Sequence, residues 1–232
     1  AVLRAIKKAG AAWYMIGNGS NLLVSDKGFP GAVISMERFR NLSVSENTIR
    51  AGAGVLLSKL AGEALKAGLS GLEFAAGIPG SLGGAVVMNA GAYGSEMKDV
   101  LKSVSVLSQE GEILELPCEE LCLGYRKSCI VEKGFTVLEA EVSLEKGEPE
   151  TIRARMEELA KQRREKQPLE FPSAGSTFKL TEGNFAGKLI EEAGLKGFSI
   201  GGAAVSEKHA GFVINKGGAA AADIYRLCRE VR

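Results

Sequence analysis

The sequence predicts an α+β protein made of a larger N-terminal unit, a charged helical connector and a smaller C-terminal unit. Three observations carry that prediction. Alternating apolar positions between Val100 and Leu144 read as antiparallel strands arranged as a meander. Apolar residues at helical spacing recur over Val55–Lys66 and again within the charged stretch Glu148–Lys166. The composition then changes near Phe171, past Pro168 and Pro172, which stop the charged helix. The resulting divisions are 1–148, a connector over 149–170, and 171–232.

Each element follows from local pattern. Val2, Leu3, Ile6 and Ala9 line one face of an opening helix that Gly10 ends. Trp13–Ile16 is a short apolar strand, Leu22–Val24 resumes as another, and Gly28-Phe29-Pro30-Gly31 is a turn before the strand Ala32–Ser35. Arg40–Asn47 reads as a polar link into a strand at Thr48–Ala51. The helix Val55–Lys66 carries Leu56, Leu57, Leu60, Ala61 and Leu65 on one side and closes at Gly68. Strands are expected at Val104–Leu107, Ile113–Leu116 and Phe135–Leu144. In the charged helix Ile152, Met156 and Leu159 share one face. The last unit reads as a helix at Ala186–Ala193, a strand at Phe212–Asn215 and a helix at Ala219–Arg232.

Composition narrows the function classes. Glycine supplies 30 of 232 residues without a G-X-Y period, which excludes collagen. The 29 basic and 28 acidic residues cancel, removing the electrostatic case for a nucleic-acid or membrane-surface partner. No run of about 18 apolar residues is present. Of Cys118, Cys122, Cys129 and Cys228, only Cys118 and Cys122 form a loose pair that could look like metal ligands, and no histidine lies near it, the sole one being His209. All four read as free thiols of a reducing cytoplasmic compartment, with no metal site. No GxSxG elbow partners His209 for hydrolase chemistry.

The glycines concentrate, with 11 of them in the 43 residues from Gly52 to Gly94. Gly17-Asn18-Gly19-Ser20-Asn21 lies between two apolar runs. It fits either a tight turn between strands or a loop whose backbone N–H groups converge on an anion. It is neither a GxGxxG fingerprint nor a P-loop. Gly77-Ile78-Pro79-Gly80-Ser81-Leu82-Gly83-Gly84-Ala85, with Asn89 and Gly91 downstream, reads as backbone shaped around a ligand or as a small-residue turn packed on a sheet.

The runs GNGSNLLVSDKGFPG, GLEFAAGIPGSLGGAVVMNAGAYG, YRKS and PSAGSTFK together resemble the UDP-N-acetylenolpyruvoylglucosamine reductase (MurB) family, in that family's order and across essentially the whole chain. The resemblance implies an FAD-binding domain of the vanillyl-alcohol-oxidase (PCMH) type followed by a smaller α/β substrate domain, in the shorter second subtype. It implies a cytoplasmic, monomeric enzyme with FAD as cofactor and NADPH as hydride donor. That enzyme would reduce the enolpyruvyl ether of a UDP-sugar for peptidoglycan synthesis, with no nucleic-acid or membrane partner. Two other readings remain at this stage: a different FAD-dependent oxidase or dehydrogenase of the same fold, and a non-catalytic nucleotide-binding remnant. The span Gly17–Gly94 holds no His or Cys to bind a flavin covalently.

By the same resemblance, Gly17, Asn18, Gly19, Ser20, Asn21 and Leu22 form one flavin loop. Ile78, Gly80, Ser81, Gly83, Gly84, Asn89 and Gly91 form the second, and Val137 gives a backbone contact to the flavin. Arg126 matches the catalytic arginine; a guanidinium fork suits a carboxylate and charge developing on it. Outside this context it reads as an exposed loop arginine. Ser176 matches the proton donor, though alone it reads as a cap or turn residue. Tyr125, Lys166, His209 and Asn215 are implied substrate contacts, and Lys166 equally reads as one solvated charge of the connector. The chain starts at Ala1 rather than Met. The resemblance implies a third catalytic group, a glutamate, beyond Arg232, and an N-terminal segment before Ala1, so the sequence is expected to be a partial one.

Overall fold

The computed structural model describes residues 2–179 and 185–232, so Ala1 lies outside the described residues. The chain divides into two compact units. The first comprises the chain through Gly19 together with Gly31–Lys161, and the second comprises Ser20–Pro30 with Gln162–Arg232.

The first unit opens with α1 (Val2–Lys8), β1 (Trp13–Ile16) and β2 (Ala32–Ser35), whose two strands pair in parallel with Trp13 opposite Ala32. It continues with β3 (Leu42–Ser45), β4 (Thr48–Gly52), α2 (Leu57–Lys66), α3 (Leu82–Val87), β5 (Leu101–Leu107), β6 (Ile113–Pro117), α4 (Cys129–Glu132) and β7 (Thr136–Ser143). The helix α5 (Pro149–Lys166) follows. Strands β3 to β7 form one antiparallel sheet in the order β3-β4-β7-β5-β6. Period-two alternation gives it two unlike faces. Ile49, Ala51, Val104, Val106, Ala140 and Val142 are buried, whereas Arg50, Glu139 and Glu141 meet on the opposite face, with Arg50 Nη1 donating to Glu139 at 3.1 Å and Nη2 to Glu141 at 2.7 Å. Leu57, Leu60, Ala61 and Ala64 of α2 and Leu82, Ala85 and Val86 of α3 join the apolar face in one cluster. Each fully buried leucine there contributes roughly 1.5–3 kcal/mol, enough to fix the loops that enter these helices.

Three expectations are corrected. Leu22–Val24 is not a strand; Leu23 and Val24 are half exposed and pair with nothing in a sheet. The polar link Arg40–Asn47 contains β3, whose Leu42 and Val44 alternate with serines along the edge of the sheet. The strands from Val100 to Leu144 are not a meander, because β7 returns past the β5–β6 hairpin to lie between β5 and β4. That central place gives β7 two partners and buries Ala140 and Val142.

The second unit holds α6 (Ala186–Glu192), β8 (Ser199–Ile200), β9 (Ala203–Val205), β10 (Val213–Asn215) and α7 (Ala221–Val231). The three strands are antiparallel in the order β8-β9-β10. Ile190, Ala203, Val205, Val213 and Leu227 form its core. At the start of α7 the Ala221 N–H donates to both carboxylate oxygens of Asp26, at 2.9 and 3.0 Å, which satisfies an N-terminal donor and places a negative charge at the positive end of the helix. Among the described residues no helix is long and apolar enough to cross a membrane.

Candidate active site

In the first unit the two glycine loops converge. Asn18 Nδ2 donates to the Pro79 carbonyl at 3.0 Å, and a methyl group added at Gly17 would overlap the Ser81 hydroxyl. The second loop is stitched to the segment between β4 and α2 by three backbone bonds: Leu57 N–H to Gly80 at 3.0 Å, Leu82 N–H to Val55 at 2.8 Å and Gly83 N–H to Ala53 at 2.9 Å. Ala53 in turn donates to Leu138 at 2.8 Å, so the strand carrying Val137 belongs to the same framework. Val137 is buried beside a register shift in β7, beyond Glu139, which is the last residue of that strand paired with β4. Its main chain therefore lies where the ladder on that side has stopped.

The adjacent glycines Gly83 and Gly84 have different reasons to lack a side chain. A Cβ on Gly83 would come within 2.8 Å of the Ala53 Cβ and 3.2 Å of its carbonyl oxygen, so protein packing alone demands glycine there. Gly84 is exposed between buried neighbours, and a Cβ there would meet only the Ser81 hydroxyl at 3.7 Å. A helical glycine costs about 0.5–1 kcal/mol relative to alanine, and at Gly84 nothing in the protein requires it. The Ser81 Oγ beside it is buried yet finds no hydrogen-bond partner among the described residues. No lysine or arginine lies within Gly17–Leu22 or Ile78–Gly91. Together these features form a neutral cradle open to close backbone approach.

The Tyr125–Ser128 segment joins this framework. Asn89 is fully buried at φ +40°, donates through Nδ2 to the Gly124 carbonyl at 3.1 Å and accepts from the Lys98 N–H at 2.9 Å. Arg126 is in the left-handed region at φ +54°, and its guanidinium donates to the carbonyls of Asn89 at 3.3 Å and Gly91 at 2.9 Å. Gly124 and Lys127 exchange two 3.1 Å backbone bonds around it, and Ser128 Oγ anchors the segment to Val87 at 2.7 Å. Tyr125 is exposed, with the Arg126 guanidinium 5.1 Å from its ring centre. Four of the non-glycine residues at positive φ, namely Asn89, Tyr93, Cys122 and Arg126, fall in these two cross-linked segments. Backbone strain of that kind costs on the order of 1–3 kcal/mol per residue and collects at functional sites.

The remaining candidates lie in the second unit. Ser20, Asn21 and Leu22 continue the first loop into that unit's share of the chain. Ser176 is exposed on a bridge to Phe212, held by Thr177 N–H to Gly211 at 2.8 Å and Val213 N–H to Thr177 Oγ1 at 3.2 Å. Gly211 also donates to His209 Nδ1 at 3.1 Å, which makes that nitrogen the acceptor of the ring. A Cβ on Gly211 would lie 3.2 Å from that nitrogen and 3.3 Å from Ser176 Oγ, so Ser176 and His209 flank one glycine. The Asn215 side-chain oxygen accepts from Gly217 and Ala219, which makes it the organiser of the turn into α7. Lys166 is exposed at the end of α5. Sequence reasoning missed Ala53, Ser128 and Asp26, whose roles rest on partners distant in sequence.

Residues 1–117 match the model of an FAD binding domain, and residues 167–232 match that of the UDP-N-acetylenolpyruvoylglucosamine reductase C-terminal domain. The chain is 54% identical over 220 residues to the UDP-N-acetylenolpyruvoylglucosamine reductase of Clostridium botulinum (strain Alaska E43 / Type E3), covering 95% of this chain and 72% of that one. The chain belongs to the UDP-N-acetylenolpyruvoylglucosamine reductase family. The family's enzyme from Caldanaerobacter subterraneus subsp. tengcongensis is likewise 54% identical, over 95% of this chain and 73% of its own. The crystal structure of the reductase from Thermus caldophilus superposes with a TM-score of 0.88 at 42% identity, covering 99% of this chain and 83% of that one. The α+β architecture of an FAD-binding domain followed by the reductase's C-terminal domain is thus that of the family.

Proposed function

We propose that the chain is an FAD-dependent UDP-N-acetylmuramate dehydrogenase. It reduces UDP-N-acetylglucosamine enolpyruvate to UDP-N-acetylmuramate at the expense of NADPH, for peptidoglycan synthesis. The observation that carries this reading is the joining of both glycine loops and the Arg126 turn in one hydrogen-bonded framework of the first unit. Family membership supports it.

The residues present fit FAD. Gly84 offers an open backbone face that protein packing does not explain, and the unpartnered Ser81 hydroxyl lies beside it. Gly17, Asn18, Gly19 and Gly80, Ser81, Gly83 and Gly84 would hold the diphosphate through neutral main-chain donors, which need no basic side chain. Ser20, Asn21, Leu22, Ile78, Asn89, Gly91 and Val137 complete the cofactor contacts in this reading. When bound, FAD supplies the hydride that it has taken from NADPH.

Arg126 pairs with the substrate carboxylate. Two of its five N–H donors hold backbone carbonyls and fix the plane of the guanidinium. The others would be left for negative charge that grows when hydride adds to the terminal vinyl carbon. Ser176 delivers a proton to the neighbouring carbon, which completes the lactyl ether, and its hydroxyl is then reprotonated from solvent. Tyr125, Lys166, His209 and Asn215 contact the UDP-sugar or the nicotinamide nucleotide. The enzyme works as a cytoplasmic monomer, without nucleic acid or membrane.

The test is direct. The purified full-length protein, incubated with FAD and desalted, is expected to keep a flavin spectrum, to have that flavin bleached by one equivalent of NADPH, and to oxidise further NADPH only when UDP-N-acetylglucosamine enolpyruvate is added. A colourless protein that takes up no FAD overturns the reading.

A further inference from the structure

Two cysteines bracket the turn that carries Arg126. Cys122 ends the 3-10 turn Cys118–Leu121 in a left-handed conformation, φ +49°, and Cys129 opens α4. Cys122 is exposed, whereas Cys129 is only 3% exposed. Both thiols point at one acceptor, the Glu120 carbonyl oxygen, from 3.4 Å for Cys129 Sγ and 3.9 Å for Cys122 Sγ. Cys122 also lies near enough to help push the Cys129 thiol up, after the larger effect of burial. Both sulfurs thus converge on one atom, and a disulfide would bring them together to about 2.05 Å. The proposed reduction uses neither sulfur. We propose that Cys122 and Cys129 are a thiol–disulfide modification site, and that its oxidation by a low-molecular-weight disulfide reshapes the Arg126 turn.

The steps balance. Cys122, as its thiolate, attacks one sulfur of the small disulfide RSSR, forms a mixed disulfide and releases one RSH. The deprotonated Cys129 then attacks the Cys122 sulfur and expels the second RSH. Two protein thiols lose two electrons in total, and RSSR gains them to become two RSH. Burial pushes the Cys129 thiol up from the ordinary range. The exposed partner therefore reacts first and the buried one resolves the mixed disulfide.

The bond would close the span Cys122–Cys129 around the Gly124–Lys127 turn. Gly124 is the residue that Asn89 holds through its carbonyl, and Asn89 in turn receives the Arg126 guanidinium. Drawing Cys122 toward the interior therefore shifts the turn against its anchor. Formation of the bond stands independently of the proposed reaction, while its effect on rate rests on the reductase reading.

The FAD-loaded chain is treated with oxidised glutathione, alkylated, and digested with trypsin, which cuts after Arg126 and Lys127 and so leaves the two cysteines on separate peptides. Mass spectrometry without reductant is expected to recover those peptides as one linked species, with Cys118 and Cys228 alkylated. Substrate-dependent NADPH oxidation is expected to fall about tenfold or more, because sub-ångström placement of a reacting group carries that much rate. Dithiothreitol should restore it. Cys129→Ser should stop at glutathionylated Cys122, and Cys122→Ser should keep its rate throughout. The proposal fails if Cys122 and Cys129 are both alkylated after treatment, if the linked species turns over at the untreated rate, or if Cys122→Ser loses activity as the wild type does. Peptide masses are read whether or not the enzyme turns over, so an inactive chain would count against the reductase reading alone.

Discussion

Arg126 sits at φ +54° with its guanidinium tied to the carbonyls of Asn89 and Gly91, whereas Ser176 is exposed on a single-residue bridge and its hydroxyl has no partner among the described residues. The two residues are proposed for different tasks, and the contrast matches those tasks. A group that stabilises developing charge works best when its dipoles are fixed before the reaction. A hydroxyl that gives up a proton must be free to turn toward an acceptor that becomes basic only during the reaction. The first unit supplies rigidity through strain and cross-bonds. The second supplies a hydroxyl held only by its backbone.

The largest effect that would break this contrast is expected at Arg126. Arg126→Lys keeps the charge but loses the fork that bonds two carbonyls and a carboxylate together. Turnover should fall by about 10²–10³-fold while FAD stays bound. A lysine variant with near-native kcat would show that point charge suffices and that the anchoring is incidental.

The adjacent glycines sharpen the comparison at intermediate size. Gly83→Ala drives a methyl into Ala53 and is expected to cost about 1–3 kcal/mol of stability, with thermal unfolding as the readout. Gly84→Ala meets only the Ser81 hydroxyl at 3.7 Å, so the fold should hold while FAD affinity measured by titration drops. Equal FAD affinity in Gly84→Ala and wild type would remove the main argument for the cradle.

The smallest effect concerns the far face of the sheet. Hydrogen bonds from Lys102 first and Arg50 second hold the Glu141 carboxyl below the usual carboxylate range. Because its folded value is depressed, Glu141 stabilises the fold above about pH 4.3, and that contribution is lost as pH falls through the lower folded value. Both partners are substantially exposed, so the contribution is about 1 kcal/mol or less. Glu141→Gln should unfold a few degrees below wild type near neutrality and converge with it in acid. A constant gap across pH would mean that packing, not charge, explains the difference.

How much of this was legible in the sequence depended on how local the cause was. The glycine loops and the YRKS turn could be read because their residue types are unusual where they stand. The alternation of Val104, Val106, Ala140 and Val142 predicted strands for the same reason. Strand β3 escaped because Leu42 and Val44 are only two apolar residues among serines and asparagine, and Leu22–Val24 misled because three apolar residues in a row need not find a partner. The sheet order was hidden, since β7 pairs with strands distant along the chain. So was the tie from Asn89 to Gly124 that fixes Arg126, which spans 35 residues. Ala53 carries no side-chain signal, yet its main chain bonds both Gly83 and Leu138.

The division of labour between a fixed arginine and a free hydroxyl is tested most directly by resolving the two half-reactions in Ser176→Ala. With FAD bound, reduction by NADPH should proceed at the wild-type rate. Reoxidation by UDP-N-acetylglucosamine enolpyruvate should slow by about 10²-fold or more. Equal slowing of both half-reactions, or of neither, would contradict the assignment of Ser176 as the proton donor.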